Sequence, residues 1–122
     1  MTAVLVAVAG AAGALLRYEV ELTVRRRKGA HLPFGILLIN VSGSFVLGVL
    51  AGLAEHHGIP ASVVTVAGTG LVGAYTTFST FSFDTISLVE LGRLRAAVGN
   101  LAVSLVLGMG AAGVGLVIGH AL

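Results

Sequence analysis

Four long stretches of this chain carry no charge. Residues 1–16, 32–54, 58–83 and 96–119 contain no Asp, Glu, Lys or Arg. A helix needs roughly 20 mainly apolar residues to cross a bilayer, and three of the four runs exceed that. The first reaches it by continuing past Arg17 to about Val24, with the guanidinium snorkelling or paired. Hydrophobic residues make up 57% of the 122, and charged residues only 10%. Soluble domains carry about 25% charged residues, so a water-facing surface would be hard to build. The expected fold is an all-α membrane protein with four transmembrane helices, at about 2–24, 32–54, 60–91 and 96–120, in a single membrane domain.

Several classes drop out on composition. Without cysteine there are no disulfides and no thiolate metal sites. Residues 1–16 lack the basic start of a secretory leader, so cleavage is not expected. The basic balance comes from loops and gives no nucleic-acid surface. No nucleophile, base and orienting group stand together, so no enzyme is expected. Adjacent His56 and His57 are too few and too closely spaced for a metal site. Gly68-x-Gly70-x-x-Gly73 matches a dinucleotide fingerprint only in spacing, because no strand precedes it and no acid follows about 20 residues on.

The cations fix an orientation. Arg25, Arg26, Arg27 and Lys28 lie between the first and second spans, and Arg93 and Arg95 between the third and fourth. The second loop and both termini have no Lys or Arg. The positive-inside rule puts the first and third loops in the cytoplasm and both termini outside.

Eighteen glycines would weaken soluble helices, but in lipid they allow close helix packing. Gly48-x-x-x-Gly52 and Gly115-x-x-x-Gly119 have that spacing. Asn40 and Ser44 share one face of the second span, as Asn100 and Ser104 do on the fourth. Such pairs serve as interhelical hydrogen-bond glue, worth about 0.6 kcal/mol each, or as a polar track. Arg17 and Glu21, four apart, are expected to pair near the membrane surface. No carboxylate sits alone in a membrane centre, which argues against a proton-coupled carrier.

The third span holds the densest polar cluster. Gly73-Ala-Tyr-Thr-Thr-Phe-Ser-Thr-Phe-Ser82 places five Ser and Thr hydroxyls and two phenylalanines inside a membrane-length run. Lipid tolerates that only where the cluster is buried in protein or lines a pathway. Glycines and β-branched Thr76 and Thr77 make a weak helix, and a break near 73–78 would free carbonyls able to coordinate a cation such as sodium. Ser79, Thr80 and Ser82 offer hydroxyl donors. Phe78 and Phe81, at i and i+3, either pack or face lipid, or present positive ring edges to an anion. The track itself contains no Lys or Arg.

Gly68-Thr-Gly-Leu-Val-Gly-Ala-Tyr-Thr-Thr-Phe-Ser-Thr-Phe-Ser-Phe-Asp84 resembles the signature of the CrcB/Fluc fluoride channel family. Gly10-Ala-Ala-Gly-Ala-Leu-Leu-Arg-Tyr18, Pro33-Phe-Gly-Ile-Leu-Leu-Ile-Asn-Val-Ser-Gly-Ser-Phe45 and the glycine-rich fourth span agree with it, so the resemblance covers nearly the whole chain. It implies a four-helix subunit of an antiparallel dimer in the cell's inner (plasma) membrane, exporting fluoride passively through two pores and giving fluoride resistance. It implies a structural sodium at the dimer axis on the carbonyls of Gly73 and Thr76. It also implies pore roles for Asn40, Phe78, Phe81, Ser79, Thr80 and, as a weaker match, Ser104, and a structural or vestibular role for Arg17. Ile36 stands where the family commonly has Thr, Asp84 where it has Glu, and Gly108 offers no hydroxyl one turn beyond Ser104. Some members form homodimers and others pair with an oppositely oriented homologue. The one-sided loop charge favours an inverted homologous partner here. The alternatives are a small multidrug transporter-like subunit, which needs a buried acid in its first span, and a purely structural membrane subunit. The first acid here is Glu19, already beyond Arg17.

Overall fold

The computed structural model describes residues 1–28 and 33–122. Four helical spans are long and apolar enough to cross a membrane: Thr2–Lys28, Phe34–His57, Ala61–Glu90 and Leu94–Ala121. The first, second and fourth are single helices, named α1 (Thr2–Lys28), α2 (Phe34–His57) and α6 (Leu94–Ala121). The third is composite. It contains α3 (Ala61–Val64), a π-helical segment (Thr65–Val72), α4 (Gly73–Tyr75) and α5 (Phe78–Glu90). Thr76 and Thr77 between α4 and α5 are extended, with φ/ψ of −77°/158° and −148°/126°.

Each helix end has a local cause. α1 continues through the basic residues, so Arg25–Lys28 form its last turn, where cations offset the negative end of the helix dipole. The Lys28 ammonium lies 5.7 Å from the Phe34 ring centroid at the start of α2. α2 stops at Gly58, whose φ of 60° is left-handed, a conformation that glycine adopts without a Cβ penalty. α5 ends in a Schellman turn at Gly92, φ 71°. There the Arg93 N–H donates to Leu88 O (2.8 Å) and the Gly92 N–H to Val89 O (2.9 Å).

Glycine governs the packing. α2 lies along α6, and Gly48, Gly52, Gly115 and Gly119 all sit in that seam. A Cβ on Gly48 would strike the Ala112 carbonyl, and one on Gly115 the Phe45 carbonyl. Both glycine pairs noted in the sequence thus belong to one helix contact. α1 packs on the π-helical segment and α4 in the same way, with Gly13 against Leu71 and Tyr75, and Gly70 against Val6 and Ala9. After the break the third span changes partner, since the π-helical segment and α4 keep company with α1 while α5 packs on α6. At the far end His120 Nε2 meets Glu55 Oε2 at 3.0 Å, joining the ends of α6 and α2.

The interior is small. Ile36, Ile39, Val72, Leu88, Ala97 and Thr77 are buried. Large apolar side chains cover the outside of every span, as expected where lipid or another subunit replaces water.

Candidate functional site

The site is the break in the third span. Asn40 on α2 holds it with two hydrogen bonds. Its Nδ2 donates to Thr77 O and its Oδ1 accepts from the Thr77 N–H, each at 2.9 Å. The amide thus pairs with the extended peptide much as a neighbouring strand would. It satisfies two backbone groups that a helix break would leave open, each of which would be costly in lipid.

Arg17 reaches the break from the other side. Its Nη1 donates to Thr76 O over 3.5 Å, a long contact. This corrects the expected Arg17–Glu21 pair. Glu21 instead takes Arg25, its Oε1 2.6 Å from Nη2. Both pairings have i,i+4 spacing, and a Glu preceding its cation is the better orientation. Arg17 is left free to turn inward. The polar track contains no Lys or Arg of its own, yet α1 lends it one.

Thr77 does three jobs at once. It is buried, it is the clamped residue, and its hydroxyl caps α5 by accepting from the Thr80 N–H at 3.3 Å. The same hydroxyl donates to Thr80 Oγ1 and meets Ser79 Oγ, both at 3.2 Å. The sequence marked Thr77 as part of the weak turn but gave it no site role. The available signal was a threonine just ahead of an apolar helical stretch, a usual N-cap choice. On the α4 side, Thr76 turns back on Val72 O through both its N–H (2.9 Å) and its Oγ1 (3.0 Å). The Thr76 methyl fits against Gly43, where a Cβ would clash with it. Tyr75 OH and Ser42 Oγ are 3.0 Å apart.

The phenylalanines follow at once. Phe78 and Phe81 have ring centroids 5.9 Å apart, tilted by 45°. Phe78 is 79% exposed on the single chain, whereas Phe81 is half-buried. Ser79 is exposed beside Phe78, and Gly73 is exposed on the other side of the break. A relay steadies the Phe81 turn from α6, in which Asn100 Nδ2 donates to Thr85 Oγ1 (2.9 Å) and Thr85 Oγ1 donates to Phe81 O (2.8 Å). Half-buried Ser104 lies one turn further along α6. Where Gly108 lacks a hydroxyl, Ser44 of α2 supplies one nearby, with its Oγ 3.7 Å from the place a Gly108 Cβ would take. Asn40, Arg17, Thr76, Thr77, Ser79 and Thr80 are therefore one connected group, while Asn100 belongs to the neighbouring relay.

A cavity of about 390 Å³ opens at the end of the bundle that carries the basic residues. Its lining includes Glu21, Arg25, Ile36, Phe83, Asp84 and Arg93. Ile36 is buried at its wall, so the hydroxyl missing at that position is missing from the cavity side. Among the described residues no group of three or more His, Cys, Asp and Glu is placed to hold a metal ion.

The chain matches known proteins over most of its length. Residues 4–116 match the family described as CrcB-like protein, Camphor Resistance (CrcB). The chain is 42% identical over 114 residues to Fluoride-specific ion channel FluC 1 of Leifsonia xyli, covering 93% of this chain and 83% of that one. It is 46% identical over 110 residues to Fluoride-specific ion channel FluC 2 of Mycolicibacterium paratuberculosis, covering 90% and 87%. It is 40% identical over 116 residues to Fluoride-specific ion channel FluC of Acidobacterium capsulatum, covering 94% and 93%. A four-span membrane chain broken at Thr76–Thr77 and matched over nearly its whole length belongs to the CrcB family.

Proposed function

We propose that this chain is a subunit of a fluoride-specific channel that lets fluoride leave the cell passively and so confers fluoride resistance. The observation that carries the reading is the Asn40–Thr77 clamp. It holds a helix break open in the middle of a membrane span and aims the hydroxyl and phenylalanine residues that follow. The relatives, fluoride-specific ion channels by name, point to the ion. In this reading Ser79, Thr80 and Ser104 donate hydroxyl hydrogen bonds to fluoride, and Phe78 and Phe81 turn ring edges to it. Asn40 lines the path with the one amide hydrogen that its two bonds to Thr77 leave over. Binding is spread over several weak contacts, so the ion can leave each one.

The subunit works as an antiparallel dimer. Exposed Phe78, Ser79 and Gly73 on the single chain support this, because a second subunit would cover them. The one-sided cations favour an inverted homologous partner over a second copy of the same chain. The protein lies in the inner (plasma) membrane with both termini outside.

The carbonyls of Gly73 and Thr76 would hold the structural sodium. Their chemistry fits. The Thr77 N–H, which in a continuous helix would bond to Gly73 O, is given to Asn40 instead. Among the described residues Thr76 O accepts only the long Arg17 contact, and a carbonyl has two lone pairs. When bound, the cation adds a fixed positive charge beside the path.

Fluoride release from liposomes tests the function. The chain is produced together with a copy carrying Arg26→Gln, Arg27→Gln, Lys28→Gln and Arg95→Gln, whose weakened loop bias allows the opposite orientation. Fluoride release without chloride release supports the reading. Release that depends on a proton gradient favours the multidrug transporter-like alternative, and no release favours a structural subunit.

A further inference from the structure

We infer that Arg17 sets how tightly the break holds its cation, because its charge stands beside the Thr76 carbonyl that both use. The inference rests on the cation role given above to Gly73 and Thr76, and it extends that role to a residue on another helix.

Arg17 is the one Lys or Arg within residues 2–24, 32–54, 60–91 and 96–120, and a guanidinium is a permanent cation. It is half-buried and reaches Thr76 O at 3.5 Å. The neighbouring Thr77 peptide is fully occupied by Asn40. Thr76 O is therefore the polar atom at the break that a cation must share with a side chain. A hard cation sits about 2.4 Å from such an oxygen. The guanidinium nitrogen and the cation are then no more than about 6 Å apart. At an effective dielectric of about 20, like charges at that distance weaken binding by on the order of a hundredfold, and water reaching half-buried Arg17 screens this toward about tenfold. The cation is thus held less tightly than the carbonyls alone would hold it. When it leaves, Arg17 keeps one positive charge beside the path. The Glu21–Arg25 pair, one turn and more toward the membrane surface, takes up the carboxylate that would otherwise neutralise Arg17.

Sodium binding, read by thermal unfolding of the purified protein, tests this. Tm is followed against sodium concentration at constant ionic strength, with choline making up the balance. The parent is compared with Arg17→Lys and Arg17→Gln, and Arg17→Met replaces the Gln variant if that one does not fold. The neutral variant should reach half its sodium-dependent Tm rise at about tenfold lower sodium, and the Lys variant should stay near the parent. An identical sodium dependence in all three, or weaker binding in the neutral variant, overturns the inference. So does a parent whose Tm ignores sodium. Fluoride release from the same preparation then reports separately whether the channel reading stands.

Discussion

Asn40 and Thr77, 37 residues apart in sequence, are joined by two hydrogen bonds of 2.9 Å that use both ends of one amide. The pair is where α2 takes hold of the broken span. Asn40→Ala leaves a buried donor and acceptor unmet and should destabilise the fold by about 1–3 kcal/mol, with loss of fluoride release. Asn40→Asp keeps the acceptor for the Thr77 N–H but, when ionised, cannot donate to Thr77 O, so it should not restore transport. Thermal unfolding and liposome flux on the same samples check both. Wild-type flux in Asn40→Ala would remove the clamp from the account.

Phe81 is held in register by the chain from Asn100 through Thr85 to its own carbonyl. Phe81→Ile keeps the bulk and loses the ring edge. Fluoride release should stop while the dimer persists in size-exclusion chromatography. Unchanged release would take Phe81 out of the path.

The α2–α6 seam depends on absent side chains. Gly115→Val would push into the Phe45 carbonyl and the Val49 N–H, and overpacking of this kind costs about 1–3 kcal/mol or more. Gly110 has no atom within 4 Å of its would-be Cβ, so Gly110→Ala should be neutral or stabilising by up to about 1 kcal/mol. Comparing the Tm of the two variants checks the contrast.

The fourth prediction concerns orientation. A reporter that is active only in the cytoplasm, fused after Leu122, should be silent, and the same reporter placed between Leu91 and Leu94 should be active. Activity after Leu122 would reverse the topology read from the loop cations.

The spans, the glycine seam and the neighbourhood of the break were legible in the sequence. Uncharged runs of membrane length mark helices directly. Glycine next to β-branched Thr76 and Thr77 marks a weak turn, and the break falls at those two threonines. The partners across the break were not legible. Helical spacing puts Asn40 and Ser44 on one face, but it does not name what fills the space opposite, which is the Thr77 backbone for one and the neighbourhood of Gly108 for the other. Arg17 shows the same limit. Spacing allowed Glu21 two cations, and only the packed structure shows that Arg25 takes it while Arg17 turns to Thr76. The transfer of the third span from α1 to α6 also left no sequence signal. The residue types on either side of the break do not name a partner helix, and only the two extended threonines redirect the chain.

The central claim is a fluoride-selective path past the Thr76–Thr77 break, and ion release from liposomes tests it most directly. With the chain and its loop-neutralised copy reconstituted together, an electrode should record rapid fluoride loss without a proton gradient, and chloride should stay inside. No fluoride loss, or chloride loss at a similar rate, would contradict the account.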